Sequence, residues 1–325
     1  MGVLITGGAG YVGSHIALDF LDMGRQVVIF DNLSTGRDFL IPETAVFVQG
    51  DTRDTQTLER VMCEHGIETV IHCAASTVVP ESVAHPLEYY DNNVQGTISL
   101  LRAMGNSAVD RIIFSSTAAV YAVGDGTPLS EQSPTEPVSP YGRTKLIAEH
   151  LIQDVAGNGS LKYAILRYFN VAGADPKGRS GQSTPNATHL IKLALETAVG
   201  KRSAMTVFGT DWPTPDGTGI RDFIHVSDLA RAHTMADLHL VGGGASGVMN
   251  CGYGHGYSVY EVIAMVEAVS GVALNIVNAD RRPGDLPMVI ADPALITSAI
   301  GWKPNYNDLR TIIEHAFEWE RAQLN

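Results

Sequence analysis

The chain has 325 residues, of which 45% are apolar and 18% charged, enough for two modest domains or one large α/β unit and too apolar for broad disorder. Its 22 Lys and Arg stand against 35 Asp and Glu, a formal net charge of −13. Such a surface repels phosphate backbones, which excludes nucleic acid as the main partner and obliges any anionic substrate to find local cations.

Gly2-Val3-Leu4-Ile5-Thr6 reads as a first strand, so no leader peptide is expected ahead of the fold. The apolar runs 27–30, 46–48, 70–72, 112–114 and 164–166 follow. They are short and rich in Val and Ile, and suit strands buried on both faces of a parallel sheet. Helical patterns over 15–23, 58–64 and 93–104 lie between most of them. Repeated βα units of this kind give an α/β fold with a doubly wound, Rossmann-type parallel sheet. After about residue 170 the texture changes. Gly, Pro, Ser and Asp dominate 172–185 and 209–219, long loops of the sort that carry function. Helix patterns recur at 189–199, 226–240, 259–269 and 309–322. The expected organisation is a Rossmann domain over 1–170, the part that would bind any dinucleotide, and a smaller α/β substrate-binding cap domain over 171–325. The two interleave, because Val248-Met249-Asn250-Cys251 reads as a strand returning to the first sheet. No apolar run is long enough to span a bilayer, so a cytoplasmic protein with no membrane partner is expected. Cys63, Cys73 and Cys251 lack CxxC spacing and read as reduced, buried residues. The 11 histidines lack HxH and HExxH spacing, so no metal is assigned.

Residues 6–13 read Thr-Gly-Gly-Ala-Gly-Tyr-Val-Gly. Gly8, Gly10 and Gly13 fit GxGxxG, and Gly7, Gly10 and Gly13 fit GxxGxxG. The motif follows a strand and opens a helix, where glycines permit a tight turn and close approach to a pyrophosphate at the helix N-terminus. By itself it is equally a tight strand–helix turn. Asp31 weighs for a dinucleotide: it ends the second strand about twenty residues on, where a carboxylate accepts both ribose hydroxyls. The same charge repels a 2′-phosphate and favours NAD over NADP, although Arg37 lies close by. Asp51 ends the third strand, where adenine contacts are common.

Pro140-Tyr141-Gly142-Arg143-Thr144-Lys145 precedes a strong helix pattern, and Tyr141 and Lys145, four apart, share one helix face. Free tyrosine has a pKa of about 10, too high for a base at neutral pH. A nearby ammonium and the positive nicotinamide of NAD⁺ both favour the phenolate. Ser115-Ser116-Thr117 ends the strand 111–114 at the carboxyl edge of the sheet, where a hydroxyl can reach a reacting oxygen. The pair and the hydroxyls also occur as ordinary helix and strand-end residues; their meaning comes from lying downstream of a dinucleotide site.

On these motifs the chain resembles the extended short-chain dehydrogenase/reductases, and among them the UDP-glucose 4-epimerases. The resemblance runs nearly end to end. It is carried by Thr6-Gly-Gly-Ala-Gly-Tyr-Val-Gly-Ser-His15, Asp31-Asn32-Leu33-Ser34, Glu81-Ser82-Val83 and the stretch from Pro86 to Val94. It continues through Tyr141-Gly-Arg-Thr-Lys145, Leu166-Arg-Tyr-Phe-Asn170, Asp216-Gly-Thr-Gly-Ile-Arg-Asp-Phe-Ile-His-Val226 and Arg281-Arg282-Pro283-Gly284-Asp285. The last two are more specific than the glycine loop. The family implies interconversion of UDP-glucose and UDP-galactose through a transient 4-keto sugar, with bound NAD as the hydride carrier and a role in galactose metabolism.

The resemblance also implies residue roles. Tyr141 is the base, Lys145 its pKa modulator and Thr117 the hydroxyl beside the sugar. Gly7, Gly10, Tyr11, Val12 and Gly13 line the pyrophosphate; Asp31, Asn32, Asp51 and Thr52 line the adenosine. Cys73, Ala74, Ala75, Asn93, Ser115 and Tyr168 complete the cofactor set. Asn170, His189, Leu190, Phe208, Arg221, Arg282 and Asp285 contact the UDP-sugar, and Val289 faces the sugar's 2-substituent. Arginine forks suit a diphosphate, although Arg221 could instead bridge to an aspartate. Two departures are visible. Thr77 stands where many relatives carry a cofactor-binding lysine. Ala118 and Ala119 stand where sugar-nucleotide dehydratases carry acid–base carboxylates, which disfavours dehydration. A homodimer is implied, paired through the helix patterns 86–104 and 141–155. The alternatives are a UDP-pentose, UDP-uronate or UDP-N-acetylhexosamine 4-epimerase and, in a different class, a catalytically silent NAD-binding regulatory protein.

Overall fold

A computed structural model describes residues 2–122, 126–185, 187–282 and 285–324. Six strands, β1 (Gly2–Thr6), β2 (Gln26–Asp31), β3 (Val46–Gln49), β4 (Ile67–His72), β5 (Arg111–Thr117) and β6 (Lys162–Tyr168), lie parallel in one sheet. The strand Gly247–Cys251 adds to β6, also in parallel, as the seventh. From that edge the order runs Gly247–Cys251, β6, β5, β4, β1, β2, β3. Chain progression reverses between β1 and β4, the place where a doubly wound sheet opens a crevice at the carboxyl ends of its strands.

The apolar runs split by alternation onto two faces. Val3, Ile5, Val27, Ile29, Ile71 and Ile113 pack against Ile16, Phe20, Leu229 and Ala232, from the helices Tyr11–Asp22 and Val226–Val241. Leu4, Val28, Phe30, Val70, Ile112 and Phe114 pack against Leu58, Val61, Leu100 and Ile152 on the other side. Those come from the helices Thr55–Glu64, Gly96–Asn106 and Pro140–Ala156. A third core joins the helices Leu190–Ala198, Val259–Ser270 and Leu309–Ala322 around Ile191, Leu195, Val262 and Ile312. Short strands accompany it: Met205–Phe208 with Ile276–Ala279, and Ile220–Arg221 between Tyr257–Ser258 and Met288–Val289. No helix among the described residues is long and apolar enough to cross a membrane.

Four expectations need correction. Of the three cysteines only Cys251 is fully buried; Cys63 is exposed and Cys73 half-buried. β3 is an edge strand whose side chains are half-buried or exposed, because among the described residues the sheet ends there. β3 also ends at Gln49, so Asp51 sits in the following loop rather than at the strand end. The helix pattern 86–104 is interrupted: Pro86–Tyr89 and Gly96–Asn106 are α-helical, and Tyr90–Gln95 between them is a π turn. An inserted residue of this kind is invisible to a 3.6-residue period, and such bulges cluster at functional sites.

One buried polar network ties β5, β6 and the Pro140–Ala156 helix together. Arg167 donates to both oxygens of Glu149, from Nε at 3.0 Å and Nη2 at 2.6 Å. It also donates to the Tyr121 hydroxyl at 3.2 Å, which donates to Asn250 at 2.6 Å. The Ser116 hydroxyl donates to Glu149. A carboxylate in this setting is tolerable only while it is paired. Arg167→Met should therefore cost about 3–5 kcal/mol in urea denaturation. The double change Glu149→Leu with Arg167→Met should recover most of that loss, because it leaves no buried charge.

Candidate active site

The crevice begins at the glycine loop. Gly7 has φ +72°, and a Cβ added there would stand 2.6 Å from the Ala74 nitrogen at the end of β4. Gly13 has no such freedom either, since a Cβ would overlap the Gly7 carbonyl. The loop thus lies flat against 73–75, and Tyr11 and Val12 open a helix whose N-cap, Gly10, offers no side-chain acceptor. Its first N–H groups and its dipole face the crevice. Asp31, at the end of β2, is buried and accepts from the N–H groups of Ala9 at 3.0 Å and Leu33 at 2.8 Å. Burial raises its carboxyl against those two bonds, and among the described residues no cation lies within ion-pair distance of it.

Asn32, Asp51 and Thr52 lie together beyond Asp31. Asn32 donates to Asp51 at 3.3 Å, and Arg53 grips Asp51 from Nε and Nη2 at 2.9 and 2.7 Å. That grip pulls the Asp51 carboxyl down to about 2. Arg53 was not singled out by the sequence, although its position two residues after Asp51 was a usable signal.

The proton-handling groups meet at the carboxyl end of β5. Ser139 caps the Pro140–Ala156 helix by accepting from Gly142 N–H at 3.1 Å, with Pro140 in the first turn. This start holds Tyr141 buried beside Thr117, the one side chain that opposes the effect of burial on the phenol. Among this chain's own groups burial dominates, and the Tyr141 phenol is pushed up to about 12 with only Thr117 opposing. Lys145, one turn on, lies with Nζ 4.1 Å from the centre of the Phe114 ring. Burial pulls its ammonium down to about 8, opposed by Cys73 and Glu149.

The three hydroxyls of 115–117 divide their roles. Ser116 is committed to Glu149. His233 Nδ1 lies 2.9 Å from the Leu229 carbonyl, so Nδ1 carries the proton and Nε2 accepts from Ser115 at 2.8 Å. Ser115 is then left to accept from Cys73, at 3.1 Å, and it opposes the rise that burial imposes on the Tyr168 phenol. Thr117 alone faces Tyr141. Asn93, on the π turn, uses its amide internally: Nδ2 donates to Ser76 O and to Thr144 Oγ1, each at 3.0 Å, and Oδ1 accepts from Ser76 N–H at 2.8 Å.

Across the crevice, Asn170 opens the strand Asn170–Ala172, and its N–H donates to the Asp222 carbonyl at 3.0 Å. His189 is the N-cap of the Leu190–Ala198 helix, and its imidazole pKa is lowered by burial. One pocket brings Tyr11, Asn170, His189 and Leu190 together. Farther out, Arg221 and Val289 are partners in parallel strands and so share a face. Arg221 donates from Nη1 to the Ile220 carbonyl at 2.9 Å. No bridge to an aspartate forms within ion-pair distance among the described residues; Asp285 supports the guanidinium only at longer range, against burial that lowers its pKa. Arg282 is paired with Asp285 at 2.9 Å and sits over the Phe208 ring at 4.9 Å. Pro283 and Gly284 of that motif lie outside the described residues. Arg281, stacked 3.8 Å over Trp212 and paired with Asp211 at 2.7 Å, was not anticipated. Its partners lie about 70 residues away, beyond any local pattern. No cluster of three or more potential metal ligands occurs among the described residues.

The glycine cradle, the uncapped helix start and an unneutralised Asp31 fit a dinucleotide with free ribose hydroxyls. The profile of the NAD dependent epimerase/dehydratase family matches residues 3–252. The UDP-glucose 4-epimerase of Azospirillum brasilense is 50% identical over 98% of this chain and 92% of its own. The solved UDP-glucose 4-epimerase from Brucella ovis in complex with NAD superposes with a TM-score of 0.95, at 43% identity over 98% of both chains. The UDP-Glc/GlcNAc 4-epimerase from Campylobacter jejuni superposes at 0.86, with 42% identity over 99% of both. This chain belongs to the NAD dependent epimerase/dehydratase family, among its UDP-glucose 4-epimerases.

Proposed function

We propose that the protein interconverts UDP-glucose and UDP-galactose by inverting C4 of the sugar, with Tyr141 as the acid–base group. The observation that carries this reading is Tyr141 buried against Thr117 with Lys145 one turn away, at the mouth of a dinucleotide crevice. A phenol near 12 is a poor base at neutral pH, so it needs positive charge beyond what this chain supplies. Bound NAD supplies that charge and the capacity to take a hydride from C4 and return it. Lys145 adds its ammonium to the same field. Tyr141 removes the proton of the 4-hydroxyl and later gives it back, while Thr117 orients the oxygen between them. Ala118 and Ala119 carry no group able to expel water, which keeps the sugar intact. Arg221 and Arg282 anchor the diphosphate, with Phe208 beside the base and Asn170, His189 and Leu190 lining the path between. A firm hold on UDP alone leaves the keto sugar free to present either face.

Tyr141→Phe should lower kcat for UDP-galactose by about 10²–10⁴-fold while NAD content stays unchanged, because only the titrating hydroxyl is lost. Assay without added reductant checks this; near-normal turnover refutes the assignment.

A broader sugar range follows from Val289. It pairs with Arg221 in the Met288–Val289 strand, next to the group proposed to hold the diphosphate, and it is small. UDP-N-acetylglucosamine and its galacto epimer should also be interconverted. Val289→Tyr should abolish turnover of UDP-N-acetylgalactosamine and spare UDP-galactose. Equal use of both by the variant would remove Val289 as the gate.

The protein further acts as a homodimer, paired through Pro86–Tyr89, Gly96–Asn106 and Pro140–Ala156. Support comes from apolar side chains on that side: Leu87 is 81% and Val83 65% exposed, more than a solitary surface favours. Light scattering at micromolar concentration should give twice the chain mass, and a monomer mass refutes the dimer.

A further inference from the structure

His72 is buried at the end of β4 and touches no group assigned so far to cofactor or substrate. Its two ring nitrogens each meet a threonine hydroxyl: Nδ1 lies 2.7 Å from Thr6 Oγ1, and Nε2 lies 3.1 Å from Thr97 Oγ1. The direction of every bond can be worked out from its far end. Thr144 donates to the Tyr141 carbonyl at 2.8 Å, so its oxygen accepts from Asn93 Nδ2 at 3.0 Å. Thr97 donates to the Asn93 carbonyl at 2.7 Å, so its oxygen must accept from His72. The proton of His72 therefore sits on Nε2, and Nδ1 accepts from Thr6. All six residues are less than a tenth exposed. Burial and the charge of Lys145 hold the imidazole neutral, at about 3.

The result is one continuous buried string. It starts at Thr6, the last residue before Gly7, crosses from β1 to β4 at His72 and enters the π turn at Asn93. It ends on the first turn of the helix that carries Tyr141 and Lys145. We propose that His72 is a positioning residue that fixes the cofactor cradle and the Tyr141 helix in one relative placement. The proposal rests on Tyr141 being the catalytic base. Asn93 then acts as a link in the string, with both amide hydrogens engaged by Ser76 and Thr144. The string passes through the π turn Tyr90–Gln95, where the Asn93 carbonyl meets Thr97 and its amide meets Thr144. A displacement of about 1 Å between reacting groups can cost on the order of 10²-fold in rate, so a string that prevents slippage bears on kcat more than on binding.

The test uses the NAD-loaded full chain. His72→Leu should lower kcat for UDP-galactose by about 10- to 100-fold, with KM and copurified NAD changed less than about threefold. His72→Gln, which keeps one donor and one acceptor at the tip, should restore most of that loss. Thr97→Val should act in the same direction, and the double variant should be no slower than the slower single one, because both cut the same string. A His72→Leu enzyme with kcat within twofold of wild type overturns the proposal, as does additivity of the two changes. A separate readout needs no turnover: in ¹⁵N-histidine NMR of wild type, His72 should carry its proton on Nε2. A proton on Nδ1 breaks the string and overturns the proposal even in a fully active enzyme. Wild type inert toward every UDP-hexose would instead remove the functional reading, with the tautomer still deciding the string.

Discussion

At one point two strands of backbone come so close that no side chain fits between them. Gly7 lies against Ala74, and Gly13 against Gly7. This contact brings the end of β1 and the end of β4 together at the reversal of strand order. It leaves the first turn of the Tyr11–Asp22 helix bare and brings Asp31 under the loop through Ala9 N–H. The crevice, its dipole and the placement of Asp31 all depend on that absence of side chains. The same closeness brings His72, the last residue of β4, against Thr6.

The chemistry of the site is then a matter of burial. Removing water raises the Tyr141 phenol to about 12 and lowers the Lys145 ammonium to about 8, so burial pushes each toward its uncharged form and drives the two apart, while both keep their protons near neutrality. Neither group alone is a base. Under the proposed function the phenol becomes a base only when a cation enters beside it, which would couple acid–base power to occupancy of the dinucleotide crevice. The neighbouring hydroxyls are disciplined in the same way. Ser115 and Ser116 have their protons taken by His233 and Glu149, so only Thr117 is left to serve the phenol.

The legibility of these features in the sequence follows their range. β1 and the Leu309–Ala322 helix match their expected bounds, because a continuous apolar run and a clean 3.6 period are local signals. The cap strands Ile220–Arg221, Tyr257–Ser258 and Met288–Val289 have two residues each, too few for any period to register. The π turn is missed because one inserted residue looks like ordinary helix. In the site, Tyr141 with Lys145 and the glycine loop with Asp31 are visible as spacings. His233 on Ser115 and Arg281 on Trp212 are contacts between distant segments, and nothing in their own neighbourhoods marks them. Asn93 was visible as a residue, but its partners were not; its amide turns out to be engaged by Ser76 and Thr144.

The return of Gly247–Cys251 to the edge of β6 has a bearing on how the chain is made. β6 leaves the ribosome about 80 residues before its outer neighbour, a delay on the order of 4–16 s at roughly 5–20 residues per second. Throughout that interval β6 is an open edge with unpaired N–H and C=O groups, a template for pairing with other chains. Arg167 sits on this edge, and its bidentate grip on Glu149 is available at once, since the helix carrying Glu149 has already emerged. A charged, hydrogen-bonded residue near the carboxyl end of a waiting strand discourages foreign strands from docking there. The ion pair thus acts as a placeholder during synthesis, and Asn250 joins it only when the seventh strand closes the sheet.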